Sequence, residues 1–394
     1  MKKILVTAPV YSQSGYGQHA RTLIAALMTL EGVDIYLNPT QWAKSARITN
    51  FENWYWCELL EKKFVESMNG DERYFDISIQ VAPVHEFKSM APINIGLTAL
   101  VETDRVSVEY INAINSMTEV IVLSEFNLDV IKNSIYENIK INKTVLKANY
   151  AFVTESSDSL ELELTTDFNF LVINQICERK NFGLTLEVFL DTFKNEENVG
   201  LICKVHRLNG STIDKYMTTE YIRNVKNKFP NSKCKIYLLH GDFEDSKMKS
   251  LYTNPKIQCL VTSTRGESWG LPIFEAACLG LPVIAPDYSG YRDFMYISKT
   301  EKMFLSTKYK LEKINPQFIW EKVLIENSLW ATVDNLSYKK CFLNMYKDYP
   351  KYKSMANKLK TYLKTEFDEV KVYKQYTDVF KKYIDIECED IVVL

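Results

Sequence analysis

Twice along its length this chain runs through an alternation of short apolar strands and amphipathic helices, and that double run constrains the fold more than any other feature. The first run opens with a buried-type strand at residues 3–8, a glycine-containing loop, an apolar periodic stretch at 20–30 and a strand at 33–37, which is a βαβ unit. Strand-like segments follow at 76–81, 93–100 and 119–123, with helical segments at 107–116 and 125–136. After a polar, acidic stretch at 154–166, read as a linker, the pattern restarts with strands at 168–174, 199–206, 234–240, 257–263 and 282–285. Such alternation makes mostly parallel sheets covered by helices on both faces. The expectation is an α/β protein of two halves, 1–165 and 166–371, with a cleft where the C-terminal ends of both sheets supply loops. From about residue 315 the pattern reads as helical and rich in Lys and Tyr, ending in a helix at 369–384.

Length agrees with two or three domains, since 394 residues exceed one ordinary core. The net charge of −2 hides an asymmetry: residues 1–165 carry 14 Lys and Arg against 21 Asp and Glu, and the remainder 34 against 29. The acidic first half argues against a polyanionic partner such as nucleic acid, while the more basic second half suits a nucleotide diphosphate. The eight cysteines, at 57, 177, 203, 234, 259, 278, 341 and 388, form no C-x-x-C pair, and several lie in apolar runs, as in a reduced cytoplasmic protein. The N-terminus passes directly into a strand without a signal-peptide stretch, and no run approaches the roughly 18 apolar residues of a membrane span. A soluble cytoplasmic protein is expected, with weak attachment to a membrane surface left open.

The most informative motif is Thr264-Arg265-Gly266-Glu267-Ser268-Trp269-Gly270-Leu271-Pro272-Ile273-Phe274-Glu275, followed by Gly280-Leu281-Pro282-Val283-Ile284-Ala285. Pro272 suits a first helical turn, where its missing N–H breaks no bond, so Gly270-Leu271-Pro272 reads as loop into helix with free amides facing out. Glu267 then sits in the loop and Glu275 about one turn inside the helix, where both carboxylates can border one cleft and accept hydrogen bonds from a polyol. Between the first strand and first helix lies Gly15-Tyr16-Gly17, a G-x-G without the third glycine of a dinucleotide fingerprint. Glycine there lets backbone approach a ligand, and the helix N-terminus offers amides to phosphate. The loop after the first strand of the second half, Asn174-Gln175-Ile176-Cys177-Glu178-Arg179-Lys180, carries cations suited to a diphosphate.

Together these segments resemble the retaining glycosyltransferases of family 4, which have the GT-B fold: the E-x7-E pair Glu267/Glu275, the glycine loop, and the E-T-D-R and S-E-F-N segments at 102–105 and 124–127, in family order. The resemblance implies two Rossmann-like domains around a donor cleft, an acceptor domain at 1–165, a donor domain at 166–371, and a terminal helix at 372–394 crossing back onto the first. It implies that Glu275 binds the donor ribose and that Glu267, with Trp269, Gly270 and Leu271, holds the donor sugar. Arg179 and Lys180 bind the diphosphate, Gly15 and Gly17 close over it, and His240-Gly241 packs against the base. Catalytic candidates are Glu102, Lys180 and Glu267, and acceptor candidates are His85, Glu102 and Asp104. Two departures stand out. Glu102 lies where many relatives carry a histidine touching sugar and acceptor; its other reading is a helix-capping carboxylate or an ion pair with Arg105. The family arginine five or six residues before the lysine is replaced by Asn174 or Gln175, so Arg179 is taken as its substitute.

Ser124 and Asn127 are also candidate caps of the helix that begins there. Asp287-Tyr288-Ser289-Gly290 resembles the family's serine-glycine turn, a structural element. His19, on a helix face, reads as a packed residue, and the histidines show no metal spacing. No Asp-x-Asp occurs, which favours metal-independent donor binding and no cofactor. The aromatic cluster Trp42, Phe51, Trp54, Tyr55 and Trp56 reads as core and interface, with sugar stacking as its alternative. The reading is a retaining transferase moving a hexose or similar sugar from a UDP- or GDP-linked donor to a hydroxyl of a glycan, lipid-linked sugar, small molecule or modified nucleic-acid base. The alternatives are a non-catalytic nucleotide-sugar-binding module and a nucleotide-sugar epimerase on the same fold.

Overall fold

The computed structural model describes residues 1–43, 45–48, 54–68, 74–136, 139–155 and 158–384. Phe51, Cys388 and positions 385–394 of the expected terminal helix lie outside the described residues. The first sheet has six strands, β1 (Lys2–Ala8), β2 (Val33–Pro39), β3 (Ile77–Val81), β4 (Ile93–Leu97), β5 (Glu119–Val122) and β6 (Thr144–Lys147), ordered β2-β1-β3-β4-β5-β6. The second has β7 (Phe168–Gln175), β8 (Val199–His206), β9 (Lys235–Leu239), β10 (Ile257–Val261), β11 (Val283–Pro286) and β12 (Leu305–Thr307), ordered β12-β11-β10-β7-β8-β9. Every pairing within both sheets is parallel. Strand order reverses between β1 and β3 and between β7 and β10, and loops at such reversals diverge to leave a crevice for ligands.

Helices cover both sheets: α1 (Gly15–Leu27), α2 (Tyr55–Met68), α3 (Val108–Ser116) and α4 (Glu125–Asn133) with the first, then α5 (Phe182–Thr192), α6 (Thr212–Lys226), α7 (Asp245–Thr253) and α8 (Leu271–Cys278) with the second. Three helices follow, α9 (Asn335–Lys347), α10 (Tyr349–Glu366) and α11 (Glu369–Ile384). The last lies along α1, where Tyr376 Oη donates to the Asn149 carbonyl at 2.9 Å. One hydrophobic cluster runs from Ile4, Val6 and Leu23 to Phe274 in α8 and to Val372 and Phe380 in α11, so a continuous core joins both sheets.

The α/β expectation holds strand for strand at the sheet centres. It fails at one edge of each sheet, while the opposite edges β2 and β9 match the expected strands at 33–37 and 234–240. Strands β6 and β12 were not anticipated, because four- and three-residue edge segments carry too few apolar positions to show a period. The stretch expected to turn helical from about 315 instead holds β14 (Leu329–Val333), paired antiparallel with β13 (Tyr309–Lys313) just before it, and regular α-helix starts only at Asn335. Most of β13 is exposed and charged, so its period is silent. Residues 158–165 have no regular structure, yet Leu160, Leu162 and Leu164 pack on the joint core.

Candidate active site

After β10 the chain runs through Thr264–Trp269 before α8 begins. Gly270 caps that helix with φ 89°, a left-handed conformation that costs a residue with a Cβ, and Pro272 occupies the first turn. The backbone of Glu267 is clamped from outside: its N–H donates to Ser289 Oγ at 3.0 Å, and Gly290 N donates to its carbonyl at 2.8 Å. An added Cβ at Gly290 would fall on the Ser268 carbonyl oxygen, which explains the serine-glycine turn. The Glu267 carboxylate accepts from Lys180 Nζ at 2.6 Å, Thr264 Oγ1 at 2.8 Å and Arg179 Nη1 at 3.2 Å. Burial pushes its pKa up, and Lys180 and Arg179 outweigh that, holding the group at about 2. Glu275 has the opposite setting. Burial raises it to about 7; among the described residues no cation is in contact, and Tyr252 Oη donates to it at 2.6 Å.

Both cations come from the loop after β7, which Arg265 N stitches to the β10 loop through the Arg179 carbonyl at 2.8 Å. Arg179 also donates to the Gly266 carbonyl at 2.8 Å and pairs with Glu102 at 3.2 Å. Glu102 belongs to the first domain, so this ion pair bridges the cleft. It replaces the capping and Arg105 alternatives for Glu102; Arg105 pairs with Asp104 at 2.9 Å. Gln175, one of the two residues standing where the resemblance expects arginine, donates to the Arg207 carbonyl at 3.0 Å.

Opposite lies the glycine turn. Ser14 caps α1 by accepting from Gly17 N at 3.2 Å, and Arg21 holds the loop through the carbonyls of Val10 at 2.8 Å and Ser12 at 3.0 Å. An added Cβ at Gly17 would fall on the Ser12 carbonyl oxygen, while one at Gly15 would stand 3.6 Å from Leu271 Cδ1, across the cleft. Gly17 is thus needed for the turn, whereas an added methyl at Gly15 would make ordinary van der Waals contact across the cleft.

A cavity of about 490 Å³ lies between these walls. Of the residues singled out in the sequence, Gly15, Glu102, Arg179, Lys180 and Glu267 line it, together with Trp269, Gly270, Leu271 and Glu275. Gly17, His240, Gly241, His85 and Asp104 do not. His240 turns away from the cavity, its Nε2 3.1 Å from Asp214 Oδ2, and Asp214 also accepts the backbone N–H groups of 207–209. The exposed His85 lies 3.5 Å from Tyr110 Oη. Asp104 Oδ1 accepts from Leu329 N at 2.6 Å, tying the first domain to β14. Ser124 caps α4 by accepting from Asn127 N at 3.3 Å.

Some lining residues escaped the sequence reading. Lys204 lies two residues before the end of β8, buried, with its ammonium donating to the Gly241 carbonyl and 4.5 Å from the Phe243 ring centre. Burial lowers its pKa, with Asp242 opposing. The signal was a lysine inside an otherwise apolar strand, Leu201-Ile202-Cys203-Lys204-Val205. Among the described residues Asn174 Oδ1 is buried without a partner, and so are both ring nitrogens of His19, which burial holds neutral with a pKa of about 3. Tyr252, the partner of Glu275, sits in an unremarkable helical sequence.

The chain matches no protein-family model and no curated protein sequence. Its fold does match solved structures. The sucrose-phosphate synthase of Thermosynechococcus elongatus superposes with a TM-score of 0.63 at 10% identity, over 97% of this chain and 99% of that one. A glycosyltransferase from Rickettsia africae ESF-5 gives 0.58 at 12% identity, over 98% and 99%. The pneumococcal O-GlcNAc transferase GtfA, solved with UDP and GlcNAc, gives 0.52 at 13% identity, over 82% of this chain and 60% of that one. At such identities the likeness concerns the fold, a two-domain α/β GT-B architecture.

Proposed function

We propose that this protein is a retaining, metal-independent glycosyltransferase of the family 4 type, moving a hexose or similar sugar from a UDP- or GDP-linked donor to an acceptor hydroxyl. One observation carries the reading: Glu267 and Glu275 stand on one wall of a single cavity, beside two cations and opposite a glycine turn at a helix N-terminus. The charge states divide the work. Glu275, ionised when a diol donates to it, accepts the ribose hydroxyls; Glu267, always ionised near neutrality, orients the donor sugar with the amides of Trp269, Gly270 and Leu271 at the start of α8. Lys180 and Arg179 take the diphosphate, exchanging part of their contact with Glu267 and Glu102 for phosphate oxygens, and stabilise the charge that grows as the C1–O bond to diphosphate breaks. The acceptor oxygen bonds to C1 on the same face, and its proton passes to the leaving diphosphate oxygen, so no dedicated base is needed. With Lys180 and Arg179 supplying the positive charge and no Asp-x-Asp in the sequence, the donor needs no metal bridge. A neighbour of the same fold bound to UDP supports the donor class. The seven described cysteines are unpaired and six are buried, which suits a reducing cytoplasm. Among the described residues no helix is long and apolar enough to cross a membrane.

The test is incubation with UDP- and GDP-linked glucose, mannose and N-acetylglucosamine plus a pool of hydroxyl acceptors, followed by NMR of the anomeric proton. A product with the donor's own α configuration supports the reading, and an inverted product removes retention. Donor binding without transfer assigns a binding module, and conversion of one nucleotide sugar into its epimer assigns an epimerase.

A further inference from the structure

We infer that the first-domain wall of the cavity is an acceptor subsite for an uncharged carbohydrate, with Trp42 as its stacking surface; the inference rests on the glycosyltransferase reading above. Among the described aromatics of the cluster at 42–56, Trp42 alone lines the cavity. Trp54 and Trp56 pack edge to face on each other at 5.8 Å, and Trp54 also lies under the Arg21 guanidinium at 5.1 Å. Trp42 is backed by Tyr16, with ring centres 4.3 Å apart. Tyr16 is itself fixed, its Oη 3.2 Å from Thr98 Oγ1 and accepting from Ala99 N at 3.3 Å. The Trp42 loop is pinned to the glycine turn: Ser45 N and Oγ both donate to the Trp42 carbonyl, at 3.1 and 2.6 Å, Ser45 Oγ lies 2.6 Å from Ser12 Oγ, and Gln13 N donates to the Ala46 carbonyl at 2.8 Å.

A half-buried indole held rigid from behind and facing a polar cavity is a platform for a ring with an apolar face. Gln13, Gln18 and Glu102 line the same wall. Amides donate and accept and a carboxylate accepts, which matches hydroxyls that do both. Charge excludes the polyanionic class. Among the described residues, Arg21 is the one Lys or Arg on this wall, and its Nη groups already serve Val10, Ser12 and Gln18, while His19 is neutral. Among the described residues, a phosphate backbone on this wall would meet Glu102 with no cation outside the contacts already named. The sequence grouped Trp42 with an aromatic cluster read as core and interface, with sugar stacking as the alternative, and the structure separates Trp42 from the other described members of that cluster.

The experiment is saturation-transfer NMR on the full chain preloaded with the nucleoside diphosphate that raises its melting point most. The probes are maltose, cellobiose, lactose and chitobiose, plus a short single-stranded DNA containing 5-hydroxymethyluracil. Ring C–H signals from at least one disaccharide are expected, reduced at least fivefold in Trp42→Ala and partly retained in Trp42→Phe, with nucleotide affinity within twofold of the parent in both. Unchanged disaccharide signals in Trp42→Ala, no disaccharide signal beside normal nucleotide binding, or signals from the DNA alone would each overturn the carbohydrate subsite. If no nucleotide binds, the transferase reading falls first and the subsite with it, an outcome distinct from the others because nucleotide binding is read separately.

Discussion

On the second-domain wall of the cleft, Glu267, Arg179 and Lys180 satisfy one another, with every charge in contact with an opposite one before any ligand arrives. On the first-domain wall the lining is aromatic and amide-rich, with Glu102 as the charged group that reaches across. Glu275 sits between these regimes, half-buried and without the cations of Glu267, and desolvation lifts its pKa to about 7. The difference teaches that position in a motif does not set charge state. Two glutamates eight residues apart end up about five pH units apart because one faces a lysine and an arginine, the other a tyrosine hydroxyl.

Removing the charge network is the harshest challenge to this contrast. Lys180→Ala is expected to lower donor turnover about a hundredfold or more, the cost of losing a preorganised charge contact; steady-state kinetics within a factor of two of the parent would remove Lys180 from the mechanism. Next comes the backbone of the opposite wall. Gly17→Ala drives a methyl into the Ser12 carbonyl and is expected to destabilise the protein by about 1–3 kcal/mol, read by denaturant melts; an unchanged midpoint means the turn can yield.

The third challenge uses pH. The ionised Glu275 is the form that accepts ribose hydroxyls, so donor affinity should fall about tenfold per pH unit as pH drops below 7 and level off above it. Glu275→Gln should flatten that profile. For stability the sign is opposite. A folded value of about 7, above the ordinary 4.5, makes the Glu275 contribution complete below 4.5 and lost as pH rises through 7. Calorimetric titrations and melts between pH 5.5 and 8.5 measure both. The smallest effect is expected at His85, exposed and outside the cavity: His85→Ala should leave turnover within about twofold, and a tenfold loss would extend the acceptor wall beyond Trp42.

The fold was legible because inner strands such as 199–206 are mostly apolar, interrupted there by Lys204 and ended by His206, and buried parallel strands leave that record. The edges β6 and β12 and the exposed β13 left none. At the site, the segment 264–275 was legible because glycine, proline and carboxylate are each required by local backbone or chemistry. Residues that enter through tertiary approach were not. Lys204 and Tyr252 come from separate elements, and Trp42 is positioned by hydrogen bonds to a loop thirty residues earlier, a relation invisible in linear spacing. The same blindness works in reverse at His240, whose place at a strand end suggested a ligand while Asp214, on α6, holds it as a brace.

The most direct test is isothermal titration of the parent and of Glu275→Ala with UDP, GDP and their hexose conjugates at pH 8. Binding of at least one nucleotide at micromolar strength, weakened tenfold or more in the variant, is the expected result. No binding by any of them, or equal affinity in both proteins, would contradict the placement of an activated sugar in this cleft.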